Sequence, residues 1–194
     1  MNIESLRLNA LENNIPIMKD EGIEFLLEFI KKNNIKRILE IGTAVGYSAI
    51  KMASLDNDIT VTSIERDEER YKEAVKNVNQ FKLSDKITLI FNDAFNVELD
   101  DEFDLIFIDA AKGKNIEFFE KFKINLDKEG YIITDNLKFH GYVDMELADI
   151  ESRNIRGLVR KIRNYLEFLK ANTEFETEFL DLGDGVSVSK RRNN

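Results

Sequence analysis

Cysteine is absent from the 194 residues, and histidine and proline occur once each, as His140 and Pro16. Without a thiol there is no disulfide, no thiolate zinc site, no iron–sulfur cluster and no Cys nucleophile, a profile that fits a reducing compartment. A single histidine leaves Ser-His-Asp catalysis little support, and a loop histidine near a site is more often a contact than a catalyst. Long apolar runs are lacking too. No stretch approaches the roughly 18 apolar residues of a membrane span, and the opening "MNIESLRLNALENN" has no continuous apolar core of the signal-peptide kind. The expected location is cytoplasmic. Net positive charge is also missing: 28 Lys and Arg against 37 Asp and Glu give −9. That balance argues against a sequence-independent nucleic-acid coat, which depends on basic side chains releasing counterions from phosphates.

What is present is an ordinary globular composition, 43% hydrophobic and 34% charged, of a length suited to one domain over residues 1–194. Two amphipathic stretches, around 2–13 and 20–33, predict N-terminal helices, so that 1–35 forms a helical lid or interface segment. The rhythm then changes. "RILEIG" (37–42), "ITVTSIE" (59–65), "KITLIF" (86–91), "FDLIFID" (103–109) and "GYIITDN" (130–136) are short and rich in Ile, Val, Phe and Thr, with helical patterns between them such as "DEERYKEAVKNVNQF" (67–81). A long helix over roughly 146–171 precedes "EFETEFLDLGDGVSVSKR", two alternating runs joined through "GDG". The predicted fold is α/β: a Rossmann-like, seven-stranded, mostly parallel sheet with a C-terminal antiparallel hairpin and helices on both faces. Such sheets bind ligands at the carboxyl ends of their strands.

The strand ends carry the chemistry. "LEIGTAVGYS" (39–48) places Glu40, Gly42 and Gly46 where the first strand turns into a helix. This is the place where backbone approaches a ligand and amide donors point outward. It is not the GxGxxG of a dinucleotide fold, and by itself it also reads as a plain tight turn. Glu65 ends the second strand, 23 residues after Gly42, about where an acid accepts from a ribose diol. Asp93, in "NDAF" after the third strand, is placed to meet an adenine amino group. A solvated acid and a turn-forming Asp are the ordinary readings of these two. In sequence order the three suggest an adenosine ligand without a pyrophosphate, and S-adenosylmethionine fits that description.

Asp109 ends the fourth strand, and Asp135 with Asn136 ends the fifth, so a parallel sheet delivers two carboxylates and an amide to one edge. That is a hard-oxygen set suited to Mg²⁺ or a similar divalent cation with positions left open for substrate. The bland reading is a helix cap at Asp109 and a turn at Asp135-Asn136. Lys112, three residues after Asp109, is a candidate general base or an orienting cation for a hydroxyl, against a solvated lysine at a helix start.

"EIGTAVGYSAIKMA", "SIERDEERYKEAVKNV", "FDLIFIDAAKG" and "ITDNLKFHG" together resemble the metal-dependent O-methyltransferases, the class I group that contains catechol and caffeoyl-CoA O-methyltransferases, over nearly the whole chain. Within that group, "IPIMKDEG" (15–22), "DNLKFHGYV" (135–143), "RNIRGLVRKIRNYLEFL" (153–169) and the ending look most like bacterial tRNA 5-hydroxyuridine methyltransferases. The resemblance implies that Asp109, Asp135 and Asn136 hold the metal and that Lys112, with Asp109, acts in catalysis. It also implies that Met18, Glu40, Gly42, Ser48, Glu65, Asp93, Ala94 and Asp109 bind the cofactor, and that Met18 and Lys19 belong to a segment closing over it. A homodimer is implied as well. Two positions depart from the pattern: Asn92 stands where glycine commonly precedes the Asp, and Asp20 stands where the subgroup commonly has proline.

The resulting expectation is a Mg²⁺- and S-adenosylmethionine-dependent O-methyltransferase that converts wobble 5-hydroxyuridine in tRNA to 5-methoxyuridine. The alternative within the class is a catechol-like or caffeoyl-CoA-like acceptor. The third is a non-catalytic binding module, disfavoured by the complete set of acids, amide and lysine. A 5-hydroxyuridine presents its 5-hydroxyl beside a carbonyl, so both oxygens can chelate one ion as a catechol does. Residues 151–170 carry +4 on a chain whose remainder is −13. Arg153, Arg156, Arg160, Lys161 and Arg163 are expected to follow the anticodon-loop backbone, with Phe139 or Tyr142 available for stacking. A solvated helix face is the other reading of that segment.

Overall fold

Short runs of β-branched and aromatic residues alternate with amphipathic stretches, and each run finds its partners in one sheet. The structure is a computed structural model that describes residues 2–192; Met1, Asn193 and Asn194 of the expected 1–194 domain lie outside the described residues. Helices α1 (Ile3–Glu12) and α2 (Asp20–Lys32) lead into β1 (Arg37–Ile41), α3 (Tyr47–Ala53), β2 (Thr60–Glu65), α4 (Glu68–Gln80) and β3 (Ile87–Phe91). Then come β4 (Phe103–Ile108), α5 (Asn115–Phe122), β5 (Leu126–Thr134), α6 (Arg153–Ala171), β6 (Phe175–Leu180) and β7 (Val186–Arg191).

The seven strands lie in the order β3-β2-β1-β4-β5-β7-β6. The first five pair in parallel, and β7 runs antiparallel to both of its neighbours. Alternation along the strands builds two cores. Ile38, Leu105 and Phe107 face α1, α2 and α3, whereas Leu39, Ile106 and Ile108 face α5 and α6. Burying both faces of the central strands explains why they read as continuous apolar runs. The chain reverses its winding between β1 and β4, and at that switch point a crevice opens beyond the strand ends. There the Asp109 N–H donates to the Ile41 carbonyl at 3.0 Å, locking the ends of the two strands together.

Two boundaries differ from those read in the sequence. The last helix starts at Arg153, capped by the Ser152 side chain, and not near 146; residues 142–144 and 147–149 form 3₁₀ turns instead. Arg163 of the helix itself holds the first turn through the Val143 carbonyl, and Arg156 holds Ile150 and Glu151 beyond the second, tertiary contacts that helical periodicity does not reveal. Strand β5 begins at Leu126, four residues before Gly130, because a register irregularity between Phe103 and Leu105 lets Leu126 pair with Phe103. At the N-terminus, Asp20 opens α2 and accepts from Arg7 Nε at 2.8 Å, so the residue that departs from the family pattern ties α1 to α2. No helix among the described residues is long and apolar enough to cross a membrane.

Candidate active site

A cavity of about 430 Å³ occupies the switch-point crevice, within the range of small-molecule sites. The loop after β1 forms its floor. Gly42 has φ +105°, and a Cβ there would stand 2.3 Å from the Asp109 carbonyl oxygen, so only glycine lets the ends of β1 and β4 pass this closely. The loop is pinned from below by Asn77, whose buried amide donates to the Val45 carbonyl at 2.9 Å.

Glu40 lies beneath this loop and is fully buried. The hydroxyls of Ser48 and Ser63 donate one to each of its oxygens. Burial pushes its carboxyl up to about 8, against the pull of the two hydroxyls, with the nearby charges of Asp109 and Glu65 adding to the rise. Glu40 supports the wall without lining the cavity, while Gly42, Ser48, Glu65, Asp93, Ala94, Asp109 and Met18 all line it.

Glu65 ends β2 with its carboxylate facing back across the loop. Oε2 accepts from the Ala44 amide at 2.8 Å, and Oε1 from the Arg66 and Asp67 amides at 2.9 Å each. A carboxylate has about four acceptor positions, so one remains for a ligand hydroxyl. Asp93 both caps its own turn, accepting from Phe95 N–H at 3.0 Å, and borders the cavity beside buried Ala94. The opposite wall belongs to Pro16, Ile17 and Met18, the link between α1 and α2, and Met18 is 4% exposed.

The ends of β4 and β5 meet as the sequence predicts. Asp109 and Asn136 line the cavity with half-buried Lys112, and Asp135 is buried behind them. Asn136 adopts φ +69° and donates from Nδ2 to Asp109 Oδ1 at 3.0 Å, while its N–H donates to Asp135 Oδ1 at 2.7 Å. Burial raises both carboxyls. For Asp135 the charge of Asp109 adds to this, and the Asn136 amide and Lys112 work against it; for Asp109, Lys112 opposes the rise. Two acids held toward their neutral forms are what a hard divalent cation relieves, so the donor set fits one. Among the described residues no three His, Cys, Asp or Glu side chains converge, so the third ligand would be the Asn136 amide. Rotation about its terminal torsion presents oxygen in place of nitrogen.

The basic helix divides. Arg156 donates to the carbonyls of Ile150 and Glu151, and Arg163 to those of Val143 at 2.8 Å and Met145 at 2.5 Å, fastening the two ends of the 143–151 segment to α6. Arg153, Arg160 and Lys161 are exposed, and Lys161 borders a second crevice of about 240 Å³ that shares Lys112 with the first.

Four participants went unread in the sequence. Phe95 and Phe118 stack at 4.9 Å on the cavity wall, and Phe95 directly follows the Asp93-Ala94 pair that was singled out. Ser63 holds Glu40 from inside a strand and carries no local signal. Asp184, read only as part of a hairpin turn, is buried against the site's two flanking segments.

A doubly wound seven-stranded sheet in the order β3-β2-β1-β4-β5-β7-β6, with β7 antiparallel and an acid at the tip of β2, is the class I methyltransferase architecture. Residues 2–192 match the O-methyltransferase family, and the chain belongs to it. It is 38% identical to a Staphylococcus aureus protein provisionally named a caffeoyl-CoA O-methyltransferase, whose crystal structure superposes with a TM-score of 0.93 over 99% of this chain and 93% of that one. The O-methyltransferase from Bacillus cereus, solved in complex with SAH, is 26% identical with a TM-score of 0.81, covering 98% and 90%. A curated relative, the caffeoyl-CoA O-methyltransferase of Populus kitakamiensis, is 29% identical over 180 residues, 89% of this chain and 76% of its own.

Proposed function

We propose that this O-methyltransferase moves the methyl group of S-adenosylmethionine to one hydroxyl of an acceptor that carries two neighbouring oxygens. The observation that carries the reading is the convergence of Asp109, Asn136 and Lys112 on one wall of a cavity whose other walls hold Glu65, Asp93 and Met18. When bound, S-adenosylmethionine supplies an electrophilic methyl on a sulfonium; a divalent cation on Asp109, Asp135 and Asn136 supplies Lewis-acid polarisation of the acceptor oxygens. Glu65 accepts from one ribose hydroxyl, Asp93 meets the adenine side, and Met18 excludes water from above. Lys112 receives or orients the proton of the reacting hydroxyl. Orientation of two bound reactants accounts for much of the rate, and no covalent enzyme intermediate is needed.

A catechol-like phenolic diol is the first acceptor class, because relatives are named for caffeoyl-CoA and for flavonoid methylation. The second reading, wobble 5-hydroxyuridine in tRNA, draws support from the exposed Arg153, Arg160 and Lys161, the last of which borders the crevice that shares Lys112 with the cavity. A homodimer through α1, where Leu8 and Leu11 are 48% and 50% exposed, belongs to the same reading and is tested by light scattering.

One experiment decides among these. The protein is incubated with S-adenosylmethionine and Mg²⁺, with and without chelator, beside caffeoyl-CoA, a simple catechol and 5-hydroxyuridine-containing tRNA, and products are read by mass spectrometry. Chelator-sensitive methylation of a diol supports the first reading. Methylation of tRNA alone supports the second, and no transfer to any acceptor defeats both.

A further inference from the structure

Between β6 and β7 the chain turns through Gly183, Asp184 and Gly185, and Asp184 is only 4% exposed. A carboxylate is buried at a cost unless its oxygens are occupied. Oδ1 is occupied twice: the His140 N–H donates to it at 2.8 Å, and the Lys19 ammonium lies 3.5 Å away. Oδ2 is buried without a partner. The His140 ring stands nearest it, with Nδ1 at 3.9 Å, beyond hydrogen-bond reach.

The backbone of the turn grips the same two segments. Leu137 and Lys138 donate to the carbonyls of Gly185 and Asp184 at 2.9 and 2.7 Å, and Gly183 N–H reaches Glu21 Oε2 at 3.2 Å. A Cβ on Gly183 would lie 3.3 Å from the Gly22 nitrogen, and one on Gly185 would lie 3.0 Å from the Lys138 nitrogen. Side chains at these positions would wedge the turn away from its neighbours.

Those segments adjoin two walls of the active site, at Met18 and at Asn136. Lys19 follows Met18, which covers the cavity, and residues 137–140 continue from Asn136. Asn136, Phe139 and His140 adopt φ of +69°, +45° and +56°, a region uncommon for L residues that Asn and His visit more readily than Phe. Asp184 Oδ1 on the His140 N–H is one constraint on that backbone.

We infer that Asp184 is a positioning residue that couples the segment covering the methyl donor to the loop carrying Asn136. A role confined to shaping the hairpin does not account for one oxygen lying between the two walls. The inference rests on the proposed function in one respect, that the Met18 side of the cavity takes S-adenosylmethionine.

Calorimetry with S-adenosylmethionine comes first; failure of the wild-type chain to bind it overturns the proposed function and this coupling together. With binding established, amide hydrogen exchange is measured with and without the donor. The wild-type chain should gain protection at residues 16–22 and also at 137–143. Asp184→Asn keeps an acceptor for the His140 N–H but loses the charge that holds Lys19. It should retain the gain at 16–22 and lose about tenfold of that at 137–143, the scale of one charge-assisted hydrogen bond. Lys19→Gln alters an exposed side chain and should behave alike, so it decides alone if Asp184→Asn does not fold. A wild-type response confined to 16–22, or an undiminished response at 137–143 in the folded variants, overturns the coupling.

Discussion

The Nδ2 of Asn136 donates to Oδ1 of Asp109 across 3.0 Å, so the ends of β4 and β5 meet at the cavity through an amide and a carboxylate, with Asp135 buried behind them. This places a like-charged, desolvated pair at the one edge where a parallel sheet gathers its strand tips. Its consequence is a site whose two carboxyls are held toward their neutral forms, the strain that the proposed cation would relieve.

Magnesium at about a hundred times its dissociation constant should stabilise the wild-type chain by about 2.7 kcal/mol through mass action. In Asp135→Asn the rise in Tm with Mg²⁺ should vanish. Without the cation that variant should be more stable than wild type near neutral pH, because a raised carboxyl loses stabilisation as it ionises in the fold. Thermal melts across a Mg²⁺ series check this, and an unchanged cation response in the variant would count against the assigned ligands.

Glu40 should make stability fall with rising pH. Its folded value is raised from 4.5 to about 8, so the fold holds the proton more tightly than the unfolded chain does. The stabilisation is complete below about 4.5 and is lost as pH climbs through about 8, an effect on the order of a few kcal/mol for a fully buried group. Glu40→Gln should flatten that decline, and denaturant titrations between pH 5 and 9 would show whether it does.

Lys112→Met should lower kcat by about 10²- to 10⁴-fold, the usual scale for losing a general base, with little change in donor affinity. Lys112→Arg separates the roles: it keeps the charge but cannot accept a proton at neutral pH. Activity restored by Arg would identify Lys112 as an orienting cation; activity lost in both variants identifies it as the base.

Gly42→Ala should lose activity and at least 2 kcal/mol of stability, because a methyl group 2.3 Å from the Asp109 carbonyl must force β1 and β4 apart. Chemical denaturation measures the loss, and a variant as stable as wild type would mean that the loop yields.

The arginines of α6 should sort into two classes. Arg156→Ala frees the carbonyls of Ile150 and Glu151 before the helix, Arg163→Ala frees those of Val143 and Met145, and each should cost about 1–3 kcal/mol. Arg160→Ala and Lys161→Ala should leave the unfolding free energy within about 0.5 kcal/mol of wild type, as exposed substitutions do. If tRNA is the acceptor, these two should depress its turnover with a weaker salt dependence, leaving small diols unaffected. Equal effects on both acceptors would remove the nucleic-acid role from this face.

Much of the site was legible in the chain because class I sheets convert sequence order into spatial order. Glu65, Asp93, Asp109 and Asn136 each end a short apolar run, and parallel pairing carries those ends to one edge whatever the details of packing. The alternation of strand and helix likewise determined the winding, and the pattern around "GDG" determined the terminal hairpin. Tertiary structure decided what periodicity cannot encode. Whether an arginine of α6 meets solvent or a carbonyl twenty residues away depends on how the preceding loop folds back, so Arg163 and Arg160 look alike in sequence and differ in space. Glu40 faces inward, beneath the wall it was expected to line, because Ser63 on the neighbouring strand offers it a hydroxyl. Asp184 joins two segments more than forty residues from it along the chain, a contact that exists only once β7 has paired beside β5.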